Sequence, residues 1–259
     1  HPYGLSSSGE VDTIKKIRKK DLHAFYKNHY LSNELSIVIV GDISKKEAVN
    51  IGNKISLGFS ENKVASVIPK VSLIEGQEIE ISHPAKQAHL YYGAPIIKRG
   101  DPDFLTLYLG NYILGGGGFV SRLTQEIRED RGLAYSVYSY FMPFVEVGPF
   151  QIGIQTKKSQ VKQAKELIKK TVKEFIKNGP TAQELRRAKD FMIGGFPLRL
   201  DSNKKILEYV SMMAFYKYPL DYLETFTNKI DNITAEEIKS AFQRRVDMSK
   251  FSTVIVGSE

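Results

Sequence analysis

The end of the chain repeats the pattern of its beginning, and this repeat constrains the fold more than any single motif does. The segment IRKKDLHAFYKNHYLSNELSIVIVG at 17–41 aligns without a gap with ITAEEIKSAFQRRVDMSKFSTVIVG at 233–257. Matched pairs, each 216 residues apart, include Leu22 with Ile238 and Gly41 with Gly257. Helix periodicity and a valine-rich run would by themselves produce several such matches. An offset held across a helix, a loop, a strand and a glycine favours a duplicated unit.

The repeat length predicts how the chain is organised. If one copy has 216 residues, a copy that ends at Gly41 begins about 175 residues before His1. We therefore expect residues 1–58 to be the remainder of a first repeat, residues 59–74 to be a linker, and residues 75–259 to be a complete second repeat. A start at His1, with no initiator Met, signal peptide or tag, agrees with an interior segment of a longer protein.

Composition restricts the chemistry that this chain can perform. Cysteine is absent, which excludes disulfides, thiolate zinc sites, iron–sulfur clusters and a cysteine nucleophile. The 42% of hydrophobic residues predicts a folded core, and no apolar run approaches the ~18 residues of a membrane span. The net charge of +8 permits an anionic partner but is modest for 259 residues.

Hydrophobic periodicity predicts an α+β fold, with an antiparallel sheet and helices packed on one of its faces. The predicted strands are 35–40, 76–82, 87–94, 133–141, 148–156 and 251–256. The predicted helices are 12–31, 44–58, 101–114, 120–130, 158–178, 181–195, 202–217 and 234–245, and 115–118 is a run of four glycines between two of them.

Motifs for metal, phosphate or nucleic-acid binding are weak. The five histidines form no H-x-x-H, H-E-x-x-H or H-x-x-E-H pattern, so we expect no metal site within this chain. Gly115–Gly118 lacks the surrounding pattern of a phosphate loop, which favours a helix-to-helix turn. A basic cluster (Lys15, Lys16, Arg18, Lys19 and Lys20) suggests a nucleic-acid-binding module as an alternative. The neighbouring aromatics sit at core spacing, so a solvated helix face is favoured.

The most specific stretch is LGNYILGGGGFVSRLTQEIREDRGLAYSVYS at 109–139. It resembles the second half of the pitrilysin/insulinase family of zinc metallopeptidases, which includes the mitochondrial processing peptidases. The resemblance rests on the glycine-rich break, the Ser-Arg-Leu helix, and an Arg seven residues before a Tyr, here Arg128 and Tyr135. HPYG at the start, Val-Gly-Asp at 40–42 and QAHLYYGAP at 87–95 extend it over the whole chain. Because this family is built from two homologous domains, the resemblance also accounts for the repeat.

The resemblance implies a division of labour between the two domains. In the family an H-x-x-E-H motif and a distal Glu of the first domain hold zinc, and the motif's Glu activates a zinc-bound water. The Arg and Tyr of the second domain hold the substrate across a closed chamber. Arg128 and Tyr135 are therefore the expected substrate-binding residues, and this chain is expected to carry no catalytic residue and no metal ligand.

The residues alone favour a simpler interpretation of these side chains. Arg128 could pair with Glu126 or Glu129 on the surface, and Tyr135 could lie in the core; only the family resemblance reverses that preference. Arg122 is expected to support local packing, and Arg131 to be solvated.

Two arrangements of the parent protein remain open. The chain is the C-terminal part of a single-chain zinc peptidase, or it belongs to an inactive partner subunit that supplies Arg128 and Tyr135 to an active one. The run at 194–226 resembles the bacterial inactive-partner type and favours the second arrangement. We expect a peptide substrate, a homodimer or a heterodimer with a zinc-bearing homologous subunit, no nucleic acid, no membrane, a periplasmic location, and no peptide hydrolysis by this chain alone. A nucleic-acid-binding or purely structural module is the alternative of another class.

Overall fold

The computed structural model describes residues 1–59 and 67–258, which form two compact units. The smaller unit contains His1–Pro69 and Pro197–Leu220, and the larger contains Lys70–Phe196 and Asp221–Glu259. Residues 60–66 of the predicted linker lie outside the described residues. The division into a partial and a complete repeat stays a prediction.

A five-stranded sheet forms the centre of the larger unit. Its strands are β1 (Glu78–Ser82), β2 (Gln87–Ile97), β3 (Ala134–Phe141), β4 (Gly148–Lys157) and β5 (Ser252–Ser258). Their spatial order is β1-β5-β2-β4-β3. All neighbours are antiparallel except β1 and β5, which run parallel. The predicted α+β class is therefore confirmed, with one parallel pair at an edge of the sheet.

Helices of the larger unit pack against one face of the sheet. The described helices are α1 (Val11–Ile14), α2 (Lys19–His29), α3 (Lys45–Ser56), α4 (Phe104–Asn111), α5 (Val161–Asn178), α6 (Ala182–Gly194), α7 (Asn203–Phe215), α8 (Tyr222–Asn232) and α9 (Ala235–Arg245). In β2 the alternate residues Ala88, Leu90, Tyr92 and Ala94 are buried, as expected for a strand with one covered face. On that face α5 packs against β2 and β4, and α9 packs against α4 and α5. No described helix combines the length and apolarity that a bilayer-spanning segment requires.

The structure keeps the register of the sequence repeat. The bounds of α2 and α9 differ by 216 residues at both ends, and so do those of the 3-10 turns that follow, Ser32–Glu34 and Met248–Lys250. Burial differs between the copies. Phe242 of α9 is fully buried, whereas Tyr26, its counterpart in α2, is 49% exposed.

The predicted strand at 35–40 is wrong for this chain. Its counterpart β5 pairs with β1 and β2, but no strand of the described residues pairs with 35–40. An extended apolar segment becomes a strand only where another strand supplies hydrogen-bond partners. The sequence pattern at 35–40 favours an extended backbone, but it does not supply the neighbouring strand that a sheet requires.

Two helix predictions also need correction. The predicted helix at 12–31 is broken between α1 and α2, because Arg18 adopts an extended backbone conformation and its N–H donates to the Asp21 carboxylate at 2.8 Å. That bond starts a new helix. Helix α8 was not predicted, although its buried residues Phe226 and Ile230 have the i, i+4 spacing of a helix face.

Candidate functional site

Two π-helical segments lie at the glycine run that the sequence singled out. The first, Tyr112–Gly116, continues α4 and contains the first two glycines of the run, and the second, Thr124–Glu129, contains Arg128. Such wide turns are rare and often occur at functional sites. After the second segment Gly132, with φ of +60°, donates its N–H to the Arg128 carbonyl and turns the chain into β3. This turn connects Arg128 to the strand of Tyr135.

The glycine run packs closely against β3 and against its own helix. A Cβ on Gly115 would lie 2.3 Å from Ser139 Oγ, and one on Gly117 would lie 2.6 Å from the Tyr112 carbonyl oxygen. Ser139 Oγ donates to Asn111 Oδ1 at 2.6 Å, and Asn111 Nδ2 donates to the Ser139 carbonyl at 3.0 Å. Close packing explains these glycines, in agreement with the predicted helix-to-helix turn.

Tyr135 is the extra residue of a β-bulge in β3. Ala134 pairs with Thr156 of β4, whereas Ser136 pairs with Gln155, so Tyr135 has no partner across the ladder. In regular alternation Tyr135 would share the buried face of Val137 and Ser139. The bulge shifts that alternation by one residue, and the Tyr135 side chain is 85% exposed. Bulges commonly redirect a side chain in this way.

Arg128 and Tyr135 line the same two clefts. The first, of about 270 Å³, also includes Phe119 and Tyr138 in its walls, and the second, of about 410 Å³, includes Gln87. The Arg128 side chain is one-third exposed. Its Nε lies 3.3 Å from a Glu129 oxygen, and its guanidinium carbon lies 4.5 Å from the centroid of the Phe119 ring. The Arg128 guanidinium and the Tyr135 side chain therefore line the same clefts.

The structure shows features of both interpretations of Arg128 and Tyr135, the surface ion pair and the shared cleft. The surface ion pair with Glu129 is present, whereas Glu126 binds Arg131 instead, at 2.8 Å. Tyr135 is not a core residue. The geometry brings together the two predicted site residues, and their role toward a substrate stays a prediction.

Arg122 supports local packing, as the sequence predicted. Its guanidinium binds both carboxylate oxygens of Glu184 at 2.7 Å, donates to the Gly179 carbonyl, and lies over the Phe175 ring. Burial by itself would raise the pKa of Glu184, but hydrogen bonds from Arg122 and Thr181 outweigh it and lower the pKa to about 2. This pair joins the start of α6 to the segment between the two π-helices.

Sequence reasoning missed Phe119, which stands directly after the glycine run. A large aromatic residue between four glycines and a polar helix start is the signal that could have identified it.

The part of the chain that the structure describes holds no group of three or more His, Asp or Glu side chains able to bind a metal ion. Arg128 and Tyr135 bring hydrogen-bond donors to the first cleft, and Phe119 brings an apolar surface.

Comparison with known proteins agrees with this architecture. The family described as the peptidase M16 inactive domain matches residues 16–192. The "Non-peptidase homolog YmxG" of Helicobacter pylori is 31% identical over the whole chain, which spans 60% of that protein. The "Uncharacterized zinc protease YmxG" of Bacillus subtilis is 29% identical over 78% of the chain, and the match spans 49% of that protein.

Solved structures show the same fold. The crystal structure of a peptidase M16 inactive domain from Pseudomonas fluorescens superposes with a TM-score of 0.95 at 35% identity, covering all of this chain and 62% of that one. A protease from H. pylori has a TM-score of 0.86 at 17% identity, covering 99% of this chain and 62% of that one, and shows the fold alone. This chain spans about half to three-fifths of the length of these relatives. It belongs to the peptidase M16 family, the pitrilysin/insulinase family, and contains its inactive domain.

Proposed function

We propose that this chain is the non-zinc, substrate-binding half of a peptidase assembly, in which zinc and the catalytic residues come from another domain or subunit. Arg128 donates hydrogen bonds to a carbonyl or carboxylate oxygen of the peptide. The Tyr135 hydroxyl donates to the oxygen that gains negative charge when the carbonyl is attacked. The chain alone then binds peptide without cleaving it.

The observation that carries this proposal is the bulge at Tyr135. A tyrosine in regular register would be a core residue, and the extra residue instead exposes it in a cleft shared with Arg128. Bulges interrupt the hydrogen-bond ladder, and they recur next to active sites, where they aim side chains. A donor pair on one wall of an open cleft suits an extended peptide backbone, which presents carbonyl oxygens at regular intervals.

The source of the zinc distinguishes two arrangements of this function. The name of the H. pylori relative, a non-peptidase homologue, supports an inactive partner that pairs with a zinc-bearing homologous subunit. The name of the B. subtilis relative, an uncharacterized zinc protease, supports a single chain with zinc in its first domain. We favour the partner arrangement, with a periplasmic location. An intact H-x-x-E-H in the roughly 175 residues that the repeat places upstream would contradict it.

Reconstitution tests the role of the two side chains. The chain is combined with a homologous subunit that carries H-x-x-E-H, and cleavage of a quenched fluorescent peptide is followed. We expect Tyr135→Phe to lower kcat/KM by roughly 100-fold, as for loss of one oxyanion donor, and Arg128→Ala to lower it as well. Arg131→Ala is the matched control, because Arg131 pairs with Glu126 and lines neither cleft. Unchanged kcat/KM in both site variants would refute the proposal.

The nucleic-acid alternative makes a different prediction. A site built on the basic cluster of residues 15–20 would bind DNA or RNA with an affinity that falls steeply as salt rises. We expect fluorescence anisotropy to detect no salt-dependent binding of labelled DNA or RNA. The same measurement is expected to detect binding of a labelled peptide.

A further inference from the structure

Phe119 is a large aromatic residue whose position is not explained by burial. It lies in the 3-10 turn Gly118–Val120, directly after the glycine run, and 66% of its surface is exposed. Its ring meets the Arg128 guanidinium, whose central carbon lies 4.5 Å from the ring centroid. This distance is within the range of an attractive cation–π contact. The residue thus contributes a contact to Arg128 rather than to the core.

The turn that carries Phe119 is fastened to the strand that carries Tyr135. The buried Ser121 hydroxyl lies 2.7 Å from the Gly118 carbonyl oxygen and 3.0 Å from Thr124 Oγ1. Thr124 Oγ1 in turn lies 3.5 Å from the carbonyl of Val137, two residues beyond Tyr135 on β3. These polar contacts hold the turn against β3, and the turn carries the Phe119 ring to its place beside Arg128.

Building on the proposed function, we propose that Phe119 is a positioning residue for Arg128. The ring contacts the guanidinium, and the Glu129 carboxylate, 3.3 Å from Nε, restrains it further. An arginine free to rotate loses much conformational entropy when it binds a ligand. Because Phe119 and Glu129 already restrain Arg128 in the free protein, less conformational entropy is lost when the peptide binds. The exposed ring also excludes water from one side of the hydrogen bonds that Arg128 makes.

Peptide binding by the full chain tests this role, with fluorescence anisotropy of a labelled, unstructured peptide as the readout. Phe119→Leu keeps an apolar side chain but removes the aromatic face, and we expect it to weaken binding by about two- to five-fold, the value of an exposed cation–π contact. Phe119→Tyr keeps the aromatic face and is expected to bind like the wild type. Phe191→Leu is the matched control, because Phe191 is also an exposed aromatic, 55% exposed, but stacks on Tyr112.

A second measurement reports the contact itself. In ¹H–¹⁵N spectra of arginine-labelled chain, the Arg128 Nε–H signal should shift in Phe119→Leu and stay in place in Phe191→Leu, because only the first substitution removes a ring current near Arg128. Wild-type affinity in Phe119→Leu, or an unmoved Arg128 signal, would overturn the positioning role. Unchanged affinity in Arg128→Ala would instead refute the proposed function, and the Arg128 signal would still test the contact.

Discussion

The ring of Tyr138 lies directly over Gly153 of the neighbouring strand. The two residues are cross-strand partners between β3 and β4, and a Cβ at Gly153 would come within 2.5 Å of Tyr138 Cζ. Glycine leaves room for the ring, which stacks on Tyr140 at a centroid distance of 5.8 Å. The absence of one side chain on β4 therefore determines where an aromatic side chain of β3 lies, beside the cleft of Arg128.

Gly153→Ala should destabilise the protein by displacing this ring. Because the clashing atoms are the end of a partly exposed side chain that can move, we expect a loss of at most about 1 kcal/mol in the free energy of unfolding, the low end of the cost of overpacking, measured by urea denaturation. In a Tyr138→Ala background the ring is gone, and the same substitution should cost close to nothing. An equal cost in both backgrounds would show that the clash with Tyr138 is not the cause.

The buried pair Asn111–Ser139 should be sensitive to loss of one hydroxyl. Ser139→Ala leaves Asn111 Oδ1 without its donor, and we expect a loss of about 1–3 kcal/mol in the free energy of unfolding. The exposed Ser136→Ala on the same strand is the control and should change stability by no more than about 0.5 kcal/mol. Equal effects of the two substitutions would contradict a structural role for this hydrogen bond.

The Arg122–Glu184 pair should make stability depend on pH in acid. Its contribution is fully present above the ordinary pKa of 4.5 and is lost as pH falls through the folded-state value of about 2, because the folded state stabilises the charged form. The shift corresponds to roughly 3 kcal/mol at neutral pH. We expect Arg122→Met to remove much of this amount at pH 7, and the gap to the wild type should narrow toward pH 2. A gap that stays constant from pH 7 to pH 2, measured by denaturation, would contradict this assignment.

The two copies of the repeat should respond differently to the same substitution. Phe242→Ala removes a fully buried ring that packs against Phe175, and we expect a loss of about 3–5 kcal/mol. Tyr26→Ala at the matched position removes a half-exposed ring and should cost less than about 1 kcal/mol. Urea denaturation of both variants measures the difference. Equal costs would show that the exposed face of α2 is covered in solution.

Much of the local structure could be predicted because it depends on neighbours in sequence. Thr181 with Glu184 and Thr234 with Glu237 have the spacing of capping boxes, and both pairs start helices in the structure. The bulge at Tyr135 could not be predicted, because it depends on how many residues of β3 oppose those of β4. The run at 35–40 has the pattern of a strand, but no strand of the described residues pairs with it, because the pattern of a segment does not specify its partner. The contact of Phe119 with Arg128 depends on the turn between them.

The bulge also means that a residue count, rather than a side chain, decides which way Tyr135 points. Removing Ala134 would restore unbroken alternation and direct Tyr135 to the buried face that Val137 shares, although the tyrosine itself is unchanged. Insertions and deletions at this strand entrance are therefore expected to alter binding as strongly as replacement of Tyr135 itself. Two relatives that both keep this tyrosine can therefore differ in the face of β3 on which its side chain lies.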